Sequence, residues 1–381
     1  MGERLYRHNT IYISTNQMEP ELPSVADNTN INDARQPKDF KSITFSNYKQ
    51  TAVRSRLIES MINGRIEPAC NWCCELICAG HFMDLWEIIL HFVGKHIHIG
   101  NPKITIYLEK RFELFRSIME QGNFTQELQL RNHPTIRELF AEVICTLTTS
   151  NRKNSFETIK INREEEFDMT QMTERLKAPN AQYAVPILKE DDPNELFIAI
   201  NEFAYHLSSD SRNVFSACYW IEWIIEFDLI CKKRKQAVKC QTRTYVLVEN
   251  KYKNDIIWVI WDAIFNKGNS LNNSYITQLL TSLRNIFCIK YSQATAKKRR
   301  YLIYFAVTLV IDQVPTDIPL MPNKQVITTV VSQINQIYKQ LKKKEQKPST
   351  DYLFKNLEKE VAIERSLRKM ELMNSIDITN K

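Results

Sequence analysis

The chain is 381 residues long, 43% hydrophobic and 25% charged, with a net charge of +7, which fits a globular protein of one or two domains and excludes a strongly basic, histone-like binder. Its seven glycines stand where average usage would give about 27, so it lacks the material for Rossmann turns, phosphate-cradling loops or a many-stranded barrel. Helix is what remains easy to build, and the expectation is an all-α fold without the backbone of a nucleotide-binding enzyme.

Residues 1–45 hold Pro20, Pro23 and Pro37 among Asn, Asp, Gln and Thr, show no lasting periodicity, and read as an extended or disordered arm. Helical patterning starts near Ser46, with Val53, Leu57, Met61 and Ile62 before Asn63-Gly64. A second helix is predicted from Pro68 to Cys78. The next, Phe82 to Phe92, carries an apolar set wider than one stripe and should pack on two sides. After the break at Asn101-Pro102, helices are predicted over Tyr107 to Met119 and Pro134 to Thr146. These elements make a first lobe, 46–150. An irregular connector, 151–193, contains Glu164-Glu165-Glu166, Pro179, Pro186 and Pro193.

A second lobe, 194–312, opens at Glu195, with Leu196, Phe197, Ile200, Phe203 and Leu207 in register. Helices follow over Val214 to Ile230, Ile256 to Phe265, Tyr275 to Phe287 and Lys297 to Ile311. Arg243 to Glu249 is the best strand candidate. The longest apolar run, Tyr301 to Ile311, is too short to span a bilayer, so no membrane span is expected. In the C-terminal extension, 313–381, Ile327, Val330, Ile334, Ile337 and Leu341 form a two-heptad seam, a partner-contact stripe if exposed. A last, heavily charged helix carries Phe354, Leu357, Val361, Leu367 and Met370.

Several constellations could carry chemistry. Cys70, Cys73, Cys74, Cys78 and His81 are zinc-ligand types, but along one helix Cys70 and His81 lie about 16 Å apart, too far to share an ion. Buried thiols facing a partner helix are the favoured reading, and no metal site is assigned. The nine cysteines, odd in number and irregularly spaced, fit a reducing compartment. His91, His96 and His98 with His81 form a second cluster with no HExxH pair or carboxylate triad; Asp84 and Glu87 could join as ligands if the loop folded back, but a polar inter-helix turn is the favoured reading. Glu222 and Glu226, one turn apart on an apolar helix, could serve acid–base work if buried, or could meet cations of a neighbouring helix. Three basic runs, Lys232-Lys233-Arg234-Lys235, Lys297-Lys298-Arg299-Arg300 and Lys342-Lys343-Lys344, could touch phosphates or an acidic protein. No phosphate loop or nucleophile motif occurs, so neither cofactor nor catalytic residues are expected.

Ala69-Cys70-Asn71-Trp72 and Ala217-Cys218-Tyr219-Trp220 share Ala-Cys-x-Trp, compatible with a duplicated helical unit or with chance in two Trp-bearing helices. The segments Asn71-Trp72-Cys73-Cys74-Glu75-Leu76-Ile77-Cys78-Ala79-Gly80-His81-Phe82, His98-Ile99-Gly100-Asn101-Pro102-Lys103 and Ala217 to Ile224 resemble helical proteins of nucleocytoplasmic large DNA viruses. Among those proteins are minor capsid components beneath the major capsid lattice. The resemblance covers 46–150 and 195–310 and carries no active site. It implies a non-enzymatic virion or virus-factory protein in the host cytoplasm, partnered by other virion proteins such as the major capsid protein. The alternative is a viral nucleic-acid-binding factor of replication, transcription or packaging that uses the basic runs.

Overall fold

The computed structural model describes residues 29–122, 124, 126–163, 165–167, 173–346, 364 and 366–370. Every long element among them is a helix, and no strand occurs among the described residues. The first half holds α1 (Gln50–Ile62), α2 (Ile66–Cys78), α3 (Phe82–Phe92), α4 (Ile104–Gln121) and α5 (Pro134–Thr149). The second holds α6 (Phe197–Leu207), α7 (Val214–Lys233), α8 (Ile257–Ser270), α9 (Ser274–Phe287), the single turn α10 (Thr295–Lys298) and α11 (Arg300–Ile311). A long amphipathic helix, α12 (Lys324–Lys342), closes the order.

Each half is built around tryptophan. Trp86 of α3 is fully buried, with Phe112, Phe115 and Phe140 at ring-centroid distances of 5.2, 6.0 and 5.4 Å. Trp258 and Trp261 of α8 meet Phe287 of α9 at 6.1 and 5.4 Å. The two groups belong to one contiguous buried cluster, because α4 packs on α9 and α11 packs on the turn after α3. Every residue of α11 from Tyr301 to Ile311 is buried, which explains its apolar run: this helix is packed on several sides by α7, α8 and α9. No described helix is long and apolar enough to cross a membrane.

The glycine shortage shows in the turns. Helices α1 and α2 end in the same motif, a six-residue backbone bond enclosing a four-residue one, with Gly64 and Gly80 at the left-handed position. Helix α7 ends in that motif too, but Lys235 occupies the left-handed position at φ 59°. Gly94 serves a different need. It sits in the π-helical turn Val93–Ile97, and a Cβ there would come within 2.9 Å of the Tyr301 backbone of α11.

Two expectations need correction. Arg243 to Glu249 is irregular rather than a strand, because Arg243 turns inward to two aspartates. The first helix begins at Gln50, not Ser46, since Ser46 is engaged by the Glu75 carboxylate, which accepts from its backbone N–H at 2.8 Å. The described part of the N-terminal segment is firmly anchored. Ile31, Phe40 and Phe45 are buried, and the Arg35 guanidinium lies 4.6 and 5.0 Å from the two phenylalanine rings. Of the predicted last helix, Glu364 and residues 366–370 are helical and exposed, while Phe354, Leu357 and Val361 lie outside the described residues.

Candidate recognition surfaces

The heptad seam of α12 faces inward. Asn323 starts the helix by accepting a hydrogen bond from the Val326 N–H at 3.2 Å. Ile327, Ile334 and Leu341 are buried, and α12 lies along α5 and α2. Val330 and Ile337 are half-buried beside Ile66 and Cys70. The stripe predicted for a partner is therefore satisfied largely within the chain, since amphipathic periodicity reports an apolar face and not what covers it. Tyr338 completes the face, fully buried with the Arg137 guanidinium 3.9 Å from its ring centroid.

Beneath it sit the α2 cysteines. Burial pushes the thiols of Cys70, Cys73, Cys74 and Cys78 well above their usual range, so they remain protonated at neutral pH. No group of three or more potential metal ligands comes together among the described residues. The histidines also sit in apolar or cationic surroundings. Burial, assisted by Arg54, lowers His91 to about 4, and burial assisted by Lys153 does the same to His98, which stacks on Phe305 at 4.9 Å. Neither carries charge at neutral pH.

The two ends of the described body meet in one place. The Ala34 N–H donates to the Gln346 carbonyl at 3.0 Å, and the Asn32 N–H donates to the Glu345 carboxylate at 2.7 Å. The Gln346 N–H donates to the Asp33 carboxylate at 2.9 Å, and Arg35 holds the same carboxylate at 2.7 Å. Burial alone would raise the Asp33 pKa. The Arg35 guanidinium and the Gln346 and Arg35 N–H groups outweigh it and keep the carboxyl below its usual range. Residues 32–35 and 345–346, near the two ends of the continuously described body, are thus joined in a charged clasp.

Helices α7 and α11 bring two of the basic runs to one face. Lys232 pairs with Asp228 at 2.5 Å, while Lys233, Arg234 and Lys235 are exposed and make no ion pair among the described residues. Lys297 and Lys298 are also exposed, and Lys297 shares Glu226 with Arg163, at 3.5 and 2.5 Å. Arg299 and Arg300 depart from the expected surface role. Arg299 is buried, donating to the Phe287 and Ile289 carbonyls at 2.6 and 2.7 Å and pairing with Glu87, so it caps the end of α9. Arg300 turns to Glu222 at 2.8 Å. Four consecutive cations cannot all face water when the last two sit at the start of a helix packed on several sides.

The paired carboxylates take their second reading. Glu222 is buried, accepting from the Tyr304 hydroxyl at 2.6 Å as well as from Arg300. Burial raises its pKa, against the pull of Arg300 and Tyr304. Glu226 serves Arg163 and Lys297. Beyond it, a groove of about 580 Å³ is lined by Arg163, Phe167, Phe227, Ile230, Lys233 and Arg234. Its aromatic wall is a continuous stack, Phe167 on Trp223 at 4.8 Å and Trp223 on Phe227 at 5.5 Å, with the latter rings 7° from parallel.

One buried centre has no signature in the sequence. Arg243, wholly buried, donates twice to Asp192 and once to Asp262, each at 2.7 Å, and Tyr245 donates to the other oxygen of Asp262. Its carboxylate partners lie 51 and 19 residues away, beyond the reach of any local pattern. The centre ties the irregular stretches before α6 and α8 to the body. Comparison with protein-family models, curated proteins and solved structures finds no match.

Proposed function

We propose that this chain is a non-enzymatic structural protein, a minor capsid or capsid-associated component of a large DNA virus that works through protein–protein contacts. The observation that carries the reading is the clasp at Asp33, Arg35, Glu345 and Gln346, which fixes residues 32–35 and 345–346 at one place on the body. Two segments issuing from one fixed point can grip a single neighbour over a long contact, and the entropy lost in ordering them is offset by that area. Leu367 and Met370, 54% and 64% exposed on the C-terminal segment, give it apolar contact groups. The resemblance of the α2, α3–α4 and α7 segments to large-virus proteins points to the virion as the setting. Internal use of Glu222, Glu226 and the α2 thiols further supports a scaffold over a catalyst.

Contact through the α12 seam is replaced in this reading by contact through the termini, with the major capsid protein among the candidate partners. Quantitative protein composition across a density gradient of purified virions tests it. The chain should co-migrate with the particles at a fixed ratio to the major capsid protein. Recovery only in the soluble fraction of infected cells, with none in particles, would overturn the assignment.

A further inference from the structure

The basic groove at the end of α7 has no part in that reading. We infer that it binds single-stranded nucleic acid, with phosphates held by Arg163, Lys233, Arg234 and Lys235 and an unpaired base laid against the aromatic wall that ends in Phe227. Three independent features converge there. The first is charge: Glu226 is shared by Arg163 and Lys297, Asp228 is matched by Lys232, and Lys233, Arg234 and Lys235 keep their charges unmatched among the described residues.

The second feature is shape. Phe167, Phe227, Ile230 and Cys231 line the groove beside its cations, and the half-buried Phe167 and Phe227 flank the buried Trp223 in one stack. Stacking on such rings is sequence-tolerant and, combined with a cationic track, is how proteins hold unpaired strands. An acidic peptide would use the cations but has no flat group to extend the stack, and duplex DNA keeps its bases inside.

The third is backbone. The turn that ends α7 places Lys235 where α1 and α2 place glycine, at a conformational cost of about 1 kcal/mol. Asn47, His98, Arg212, Asn272 and Lys290 share that backbone region, and at Lys235 the turn sets an exposed cation next to Arg234.

Fluorescence anisotropy of the full chain with labelled dT20 is the test. Binding at 50 mM salt should weaken about 20- to 50-fold at 200 mM, the loss for three or four phosphate contacts on a single strand. The triple variant Lys233→Gln, Arg234→Gln, Lys235→Gln touches only exposed side chains and should lower affinity at least ten-fold. Phe227→Leu keeps the apolar volume, and with an unchanged melting temperature it should cost five-fold or more. Lys342→Gln with Lys343→Gln, at the end of α12, should change nothing. Absent binding at 50 mM, equal affinity in the groove and α12 variants, or displacement of dT20 by an equimolar poly-glutamate peptide or duplex 20-mer would overturn the inference. None of these outcomes bears on the presence of the chain in virions.

Discussion

Helices α2 and α7 begin alike and end differently. Both carry Ala-Cys-x-Trp, both bury a glutamate two or three residues further on, and both close with the same turn. In α2 the stretch from Cys73 to Ala79 is buried, Glu75 binds the 44–46 loop, and Gly80 lets the chain double back at once into α3. In α7 burial stops at Ile225, the last two turns emerge half-exposed, and the closing turn presents Lys235 to solvent. The lesson is that one local recipe serves two ends. Gly80 ends a helix that is absorbed into the core, whereas Lys235 ends one whose last two turns project from it.

Mutations can break or sharpen that contrast. The largest effect should come from tryptophan. Trp220 is 1% exposed and Trp72 is half-exposed, so Trp220→Ala should cost about 3–5 kcal/mol in urea unfolding, and Trp72→Ala roughly half as much. Similar losses would remove the distinction between a sunk and a rim position. Next is Glu75→Ala, which strands the buried Thr44 hydroxyl and the Ser46 N–H and should cost about 1–3 kcal/mol by the same measurement.

The closing turns should respond in opposite directions. Gly80→Ala forces a side chain into φ 79° and within 3.1 Å of Leu128, and should destabilise by about 1–2 kcal/mol. Lys235→Gly relieves the same strain and should raise stability by about 1 kcal/mol, read as a higher melting temperature.

The smallest effect is a pH slope. The Glu222 carboxyl is raised above its usual 4.5 by burial, so the stability it contributes is fully present below that value. It is lost as pH rises through the higher folded value. Glu222→Gln cannot ionise and should remove that slope while keeping the Tyr304 bond. An identical stability–pH curve for the variant would show that Glu222 does not titrate differently in the fold.

The helices were legible because their signal is local. Phe82 to Phe92 was bounded correctly by its apolar period, and the run from Tyr301 to Ile311 announced a buried helix. Destination was less legible. The α12 stripe read equally well as a surface for a partner and as a face for α5, and only packing decides between them. Long-range charge was invisible. Arg299 finds Glu87 at a sequence distance of 212, Arg300 finds Glu222 at 78, and Arg243 gathers aspartates from two separate stretches. The four-cation run is split by a break at Arg299, so Lys297 and Lys298 end the exposed turn α10 while Arg299 and Arg300 turn inward at the start of α11. Of the groove at α7 only the cations are legible in the sequence, because its aromatic side needs Phe167 delivered by the connector.

The account rests on paired terminal segments gripping a neighbour, and cross-linking mass spectrometry of intact purified particles reaches that contact directly. Lys355, Lys359 and Lys369 of the C-terminal segment should link to another virion protein, with further links from Lys38 and Lys41 beside the clasp. Links from those lysines confined to this chain, while Lys233 or Lys297 link to a capsid protein instead, would contradict it.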